Sequence, residues 1–329
     1  MPCVNRDRIL KFHIDEGTAG LTIRQFLSQE LSLSPRQISR LKFTGGGGIS
    51  VNGRQVYVVR TLQKGDVLEV RLTLQKEERD THGAKPPKIW EEPAPGIREI
   101  PFRILYEDDD LLIADKPSGL VCHPSPGHYA DTLANQAAAY LGAVGTALDI
   151  RVVGRLDRET SGIVTFAKSA EAAALLQRQR QDSRMIKEYL ALVEGSPESA
   201  EGVIDLPLRR EFPGSFKMTA APDGKPAATY YRTVCRAGEE GALSLLRCRI
   251  THGRTHQIRV HLSCTGCPIV GDPLYGSGRS GPPLPALPEN AICLHAADLV
   301  LFQPFTGRRI RITVPLPEWV PEEGREGRK

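Results

Sequence analysis

No run in this 329-residue sequence approaches the ~20 consecutive apolar residues that a membrane-spanning helix needs. The opening stretch MPCVNRDRILKFHIDE lacks the apolar centre of a secretory signal, and Asp7, Asp15 and Glu16 argue against a transit peptide. Cysteine is sparse and odd in number, seven residues with no regular spacing, which argues against a disulfide scaffold and for a reducing cytoplasm. No internal repeat is visible, so a solenoid is not expected. What remains is an ordinary globular composition, 40% hydrophobic and 25% charged, in a chain long enough for two or three domains.

Charge is unevenly spread. Residues 1–74 carry eleven Lys/Arg against six Asp/Glu, an excess of +5, whereas the whole chain has a net charge of only +4. A small basic module on a near-neutral body suggests a polyanion-binding arm, although a basic surface without a partner has the same composition. Within the module, Thr22 and Gln25 have capping-box spacing, and Ile23, Phe26, Leu27 and Leu31 follow on one helical face. Ser34-Pro35 reads as the start of a second helix carrying Arg36 and Arg40 on one face, with Lys42 nearby and glycines 45–48 ending it. ISVNGRQVYVV reads as a hairpin turning at Asn52-Gly53, and GDVLEVRL as a strand. Two helices, a VNG hairpin and a GD strand resemble the S4 RNA-binding domain. The resemblance implies that Arg36, Arg40 and Lys42 face RNA phosphates; by themselves they read as a solvated helix face.

Residues 75–99 are rich in proline and charge, lack periodicity and read as a linker. From residue 100 onward strand-like runs dominate, with helical patterns in SAEAAALLQRQRQ and RTHQIRVHLSCTG only. The expected class is α+β, with a mostly antiparallel mixed sheet in a body spanning 100–329 and a small N-terminal α/β module.

Four stretches of the body combine charge, glycine and apolar flanks: ADKPSGLVCHP (114–124), GRLDRETSG (154–162), MIKEYLALVEG (185–195) and GRTHQIRVHLSCTGCPIVGDPLYG (253–276). Taken singly they are unremarkable. Asp157 between Arg155 and Arg158 reads as a surface ion pair, Tyr189 as a core residue on a strand, and Arg259 as a solvated helix residue. Together and in this order, the four stretches resemble the RluA-type RNA pseudouridine synthases.

That resemblance implies isomerisation of a uridine within an RNA chain, without cofactor, because substrate and product are isomers. It assigns the catalytic carboxylate to Asp157 in RLD and an ion-pairing cation to Arg259 in THQIR. Tyr189 in KEY would lie against the base, and Arg155 would hold the flipped site open. Whether the carboxylate attacks C1′ or C6, or takes a proton from C2′, is left open. Thr160, Ser161 and Gly162 are expected to form the turn that aims the loop, and Glu159 to point elsewhere.

Two positions depart from the family pattern: Gly154 and Cys267 stand where histidine is usual. A Cys264-x-x-Cys267 zinc site would need two further ligands, and none is evident, so no metal is expected. Asp108, Asp109 and Asp110 read as an acidic turn, and His123, His256, His261 and His295 as structural hydrogen-bonding residues. The expected partner is RNA, ribosomal RNA first and tRNA second, with no membrane and a monomeric chain. A non-catalytic RNA-binding assembly factor of the same fold is the alternative. A deaminase fusion is disfavoured, because TGCPI lacks the zinc signature.

Overall fold

The structure is a computed structural model that describes residues 7–41, 48–73, 102–143, 150–238, 242–277, 287 and 291–325. The expected linker, Lys42 and glycines 45–47 lie outside the described residues, as does the side chain of Arg40.

In the N-terminal part, β1 (Asp7–His13) pairs antiparallel with β4 (Val67–Thr73) along its whole length. Next to β4 lies β2 (Ile49–Val51) and then β3 (Arg54–Gln55), completing a four-stranded antiparallel sheet. Helix α1 (Ile23–Glu30) opens with the expected reciprocal cap: Thr22 and Gln25 each accept from the other's backbone N–H. In α2 (Pro35–Leu41), Ser34 and Gln37 repeat this pattern. Asn52 and Gly53 both adopt positive φ, 52° and 76°, the geometry that a two-residue hairpin turn requires. β1 was not expected, since Asp7, Arg8 and Lys11 dilute its alternation and Ile9 stays exposed. Ile23, Phe26, Leu27, Leu33, Ile38, Leu68 and Val70 form a separate apolar cluster here, joined by Leu175 and packed by Phe305 from the far part of the chain.

The remainder is built on a ten-stranded sheet. Its strands are β5 (Arg103–Glu107), β6 (Leu111–Lys116), β7 (Arg151–Val153), β8 (Ser161–Ala167), β9 (Ile186–Glu194), β10 (Glu201–Asp205), β13 (Ala228–Ala237), β14 (Leu243–Ile250), β15 (Leu294–Phe302) and β16 (Arg309–Thr313). The order is β10-β13-β14-β9-β15-β8-β6-β5, with β16 beside β15 and β7 beside β8. A separate hairpin joins β11 (Leu208–Arg210) to β12 (Met218–Ala220). Every pairing is antiparallel except β8 with β15, so the chain is α+β as expected.

The central strands are buried on both faces. On β6 and β8, Leu112, Ala114, Val164 and Phe166 pack with residues of α3 (Leu133–Ala143) and α5 (Gln257–Cys264). Their alternating neighbours Leu111, Ile113, Ile163 and Ala167 pack with α4 (Ala170–Gln181). This two-residue period delivers a near-continuous apolar run to two opposed layers. α3 went unread because its alanines give no clear stripe, whereas α4 is marked by the Ser169 cap.

The single parallel contact fixes the loop before β8. Ser161 and Gly162 already belong to the strand, paired with His295 and Ala296, so only the Thr160 N–H to Asp157 carbonyl bond closes the turn. The expected Thr160-Ser161-Gly162 turn is therefore corrected: two of its three residues are needed for the strand crossing. Gly162 has φ 106°, and a Cβ there would lie 2.3 Å from the Ala296 carbonyl oxygen. Gly162→Ala should lower stability by about 2–4 kcal/mol through backbone strain and steric overlap. Urea unfolding checks this, and unchanged stability would mean that β15 can withdraw without loss.

Candidate active site

The site is organised by Arg259 of α5, whose side chain is wholly buried. A buried guanidinium needs anionic partners, and its first is Asp272. Nε donates to Oδ2 and Nη2 to Oδ1, each at 2.8 Å, a bidentate pair. Asp272 Oδ1 also accepts from the backbone N–H groups of Leu274 and Tyr275, at 2.9 and 3.1 Å, so the anion is itself fixed. Nη1 remains. It donates to Glu159 at 3.2 Å and lies 3.8 Å from Asp157.

Arg259 lies at ion-pair distance from Asp157, as expected, although its principal partner is Asp272. The expectation for Glu159 is corrected. Glu159 points at the same guanidinium rather than elsewhere. Desolvation opposes the charge of Arg259, but the Asp272 hydrogen bonds and the fields of Asp272, Asp157 and Glu159 outweigh it and raise its pKa. The Asp157 side chain is 18% exposed and that of Asp272 0%, so Asp157 is reachable from solvent and Asp272 is closed off from it.

The loop carrying Asp157 is held at nearly every residue. The Leu156 N–H meets Cys122 Sγ at 3.3 Å, and Gly119 N–H donates to the Arg158 carbonyl at 2.8 Å. Buried Lys116 donates to the carbonyls of Pro117 and Leu120, each at 2.8 Å, and of Arg158 at 3.1 Å. Burial lowers its pKa to about 8 despite neighbouring acids that include Asp157 and Glu159.

Tyr189 on β9 faces this loop. Burial, and then the charge of Asp157, raises its phenol pKa. Lys187, two residues earlier, donates to the Ile163 carbonyl at 2.8 Å, and burial lowers its pKa to about 8. Arg155 is exposed, and its Nη2 donates to Thr255 Oγ1 at 2.9 Å. His256 is the left-handed residue ahead of α5 and shares a 2.8 Å hydrogen bond with the Tyr275 hydroxyl. The Tyr275 ring in turn covers Arg259, 5.4 Å from its guanidinium carbon.

The structure therefore brings Asp157, Tyr189, Arg259 and Arg155 to one place. Arg36 is exposed on α2, among none of these contacts. Asp272, Lys116 and Lys187 were not singled out from the sequence. Each sits inside a quoted stretch, but a side chain engaged through a turn or several carbonyls has no characteristic spacing. The other expected histidines bond as structural groups: His261 bridges Thr229 and the Leu206 carbonyl, and His295 meets Ser161. Cys267 is buried in the core, and among the described residues no three His, Cys, Asp or Glu form a metal-binding group.

Lys116 supplies a pH test. Between pH ~8 and ~10.5 the unfolded chain holds a proton on this lysine that the folded protein has released, so its contribution to stability rises with pH across that window. Lys116→Met should be less stable than wild type, by about 1–3 kcal/mol for each carbonyl left without a donor. That gap should widen from pH ~7.5 to ~9.5 in urea unfolding. A gap constant with pH would mean that Lys116 titrates as an ordinary lysine.

The sequence model of the family described as RNA pseudouridylate synthase matches residues 110–264, which include Asp157, Tyr189 and Arg259. The chain is similar to "Ribosomal large subunit pseudouridine synthase D" of Nitrosomonas europaea, 34% identical over 319 residues, covering 95% of this chain and 86% of the relative. It is also similar to "Uncharacterized RNA pseudouridine synthase YjbO" of Bacillus subtilis, 32% identical with 91% and 96% covered. Among solved structures, human RNA Pseudouridylate Synthase Domain Containing 4 matches with TM-score 0.51 and 26% identity, covering 65% of this chain and 88% of that one. With its mostly antiparallel sheet and a relative matched along nearly its whole length, the chain belongs to the RNA pseudouridylate synthase family and is an RNA pseudouridine synthase.

Proposed function

We propose that the chain isomerises uridines of ribosomal RNA in the cytoplasm, with Asp157 as the catalytic carboxylate. The observation that carries this reading is the pairing of an accessible Asp157 with a wholly buried, Asp272-anchored Arg259. The N1–C1′ bond of the target breaks, the uracil turns, and C5 bonds to C1′; atoms balance without a co-reactant. C1′ and the ring faces are inaccessible in a stacked strand, so the nucleotide is flipped out at a cost of a few kcal/mol. Arg155, exposed and braced by Thr255, is placed to hold that opened strand. Tyr189 lies against the base, and burial together with the charge of Asp157 further disfavours its phenolate, so the hydroxyl is a donor. Arg259 presents a fixed positive charge 3.8 Å from Asp157 in a partly closed site.

Ribosomal RNA is favoured by the name of the Nitrosomonas relative and by an N-terminal part suited to a large structured RNA. That part, residues 1–74, we read as an S4-like RNA-binding arm followed by a linker at 75–99 and the catalytic body at 100–329. Its two capped helices, its hairpin turn at Asn52-Gly53 and its own apolar cluster support this, with Arg36, Arg40 and Lys42 as phosphate contacts.

Asp157→Asn should fold and bind RNA but form no detectable pseudouridine in single-turnover assays on ribosomal RNA. Glu159→Gln should retain most activity, since it leaves Nη1 to Asp157, whereas Asp272→Asn should destabilise the protein by about 3–5 kcal/mol. Near wild-type turnover by Asp157→Asn would remove the mechanism. Deleting residues 1–74 should weaken RNA binding and flatten its dependence on salt, because phosphate contacts release counterions. An unchanged affinity and salt slope would remove the arm from RNA recognition.

A further inference from the structure

Arg180, in the last turn of α4, is engaged neither in the core nor in the ion-pair cluster at Asp157. Its guanidinium lies over two glycines from different loops. A Cβ on Gly154 would be 3.8 Å from its Cζ and Nε and 4.0 Å from Lys187 Nζ. A Cβ on Gly253 would be 2.9 Å from its Nη2. Both glycines have positive φ, 77° and 63°, so backbone and absent side chains together leave this space to the arginine.

Gly154 immediately precedes Arg155, and Gly253 lies two residues before Thr255, the hydroxyl that braces Arg155. Arg180 thus sits at the mouth of the site, and its field reaches both Lys187 and Tyr189. Among the described residues its guanidinium makes one hydrogen bond, to Gln177 Oε1 at 3.2 Å, and no carboxylate lies within ion-pair distance. A half-buried cation beside a buried lysine is unfavourable until an anion arrives.

We propose that Arg180 is a phosphate-binding residue of the RNA site, taking a backbone phosphate beside the nucleotide presented to Asp157. The proposal rests on the reading of Asp157 as the reaction centre. It adds a cation that enters from the helix on the far side of Gly154, so that the opened strand is held by Arg155 and Arg180 together. The planar fork of arginine suits two phosphate oxygens at once.

The test uses the full-length protein and an unmodified transcript of large-subunit ribosomal RNA. Affinity is measured over a series of salt concentrations for wild type, Arg180→Gln, Arg180→Lys and Asp157→Asn. Arg180→Gln should bind about tenfold more weakly at low salt, with the slope of log K against log salt shallower by about 0.7–0.9. Arg180→Lys should restore the slope, which a merely structural arginine would not require. Asp157→Asn should keep the wild-type slope, so a failed catalytic reading shows as turnover in that variant, and a failed Arg180 reading as an unchanged slope in the other. In the wild-type protein, phenylglyoxal should label Arg180 and RNA should block the labelling. An Arg180→Gln protein with wild-type affinity and slope, or an Arg180 that is unlabelled without RNA or labelled equally with it, overturns the proposal.

Discussion

The bidentate pair between Arg259 and Asp272 is the interaction on which the site depends. A guanidinium with no exposed surface cannot be left without an anion, and Asp272 answers it with both oxygens while two backbone N–H groups hold that carboxylate still. Two of the three guanidinium nitrogens are thereby committed. The third is shared by Glu159 and Asp157, with Glu159 closer. Asp157 therefore sits in the field of a fixed cation without being bound tightly by it, and its side chain keeps some contact with solvent.

The pieces around this pair come from distant parts of the chain and meet because the sheet brings them together. α5 supplies Arg259, the turn after it supplies Asp272, and the segment between β7 and β8 supplies Asp157 and Glu159. Where β8 and β15 run briefly parallel, β9 lies on the other edge of β15, which sets Tyr189 opposite Ala296. One strand thus aligns the loop and the aromatic residue. Lys116 does comparable service inside the loops, joining three carbonyls from two segments with one ammonium group.

What could be read in the sequence was local or recurrent. The caps at Thr22 and Ser34 and the turn at Asn52-Gly53 are set by neighbours a few residues away, and each appears where its residues suggested. Asp157, Tyr189 and Arg259 were legible as parts of quoted motifs, and the fold brings them together. Less legible was whatever depends on tertiary contacts. β1 takes its identity from pairing with β4 rather than from its own pattern. The importance of Asp272 comes from a residue thirteen positions earlier, brought beside it by a turn. Glu159 was misread because loop direction depends on which residues the neighbouring strand claims, and Ser161 and Gly162 belong to β8.

The missing side chain at position 162 has a consequence for accuracy. Surface loops ordinarily wander on the nanosecond scale, and a reacting group carried on one inherits that blur. Here the chain leaves the Asp157 turn directly into a backbone-to-backbone contact that admits no Cβ, so the loop is anchored one turn away from a sheet interior. Asp157 is a loop residue in its surroundings, set just ahead of a strand whose backbone contact fixes where the loop ends. That combination leaves a partly exposed carboxylate on a loop whose exit is fixed by the sheet, the kind of support that a precisely held side chain requires.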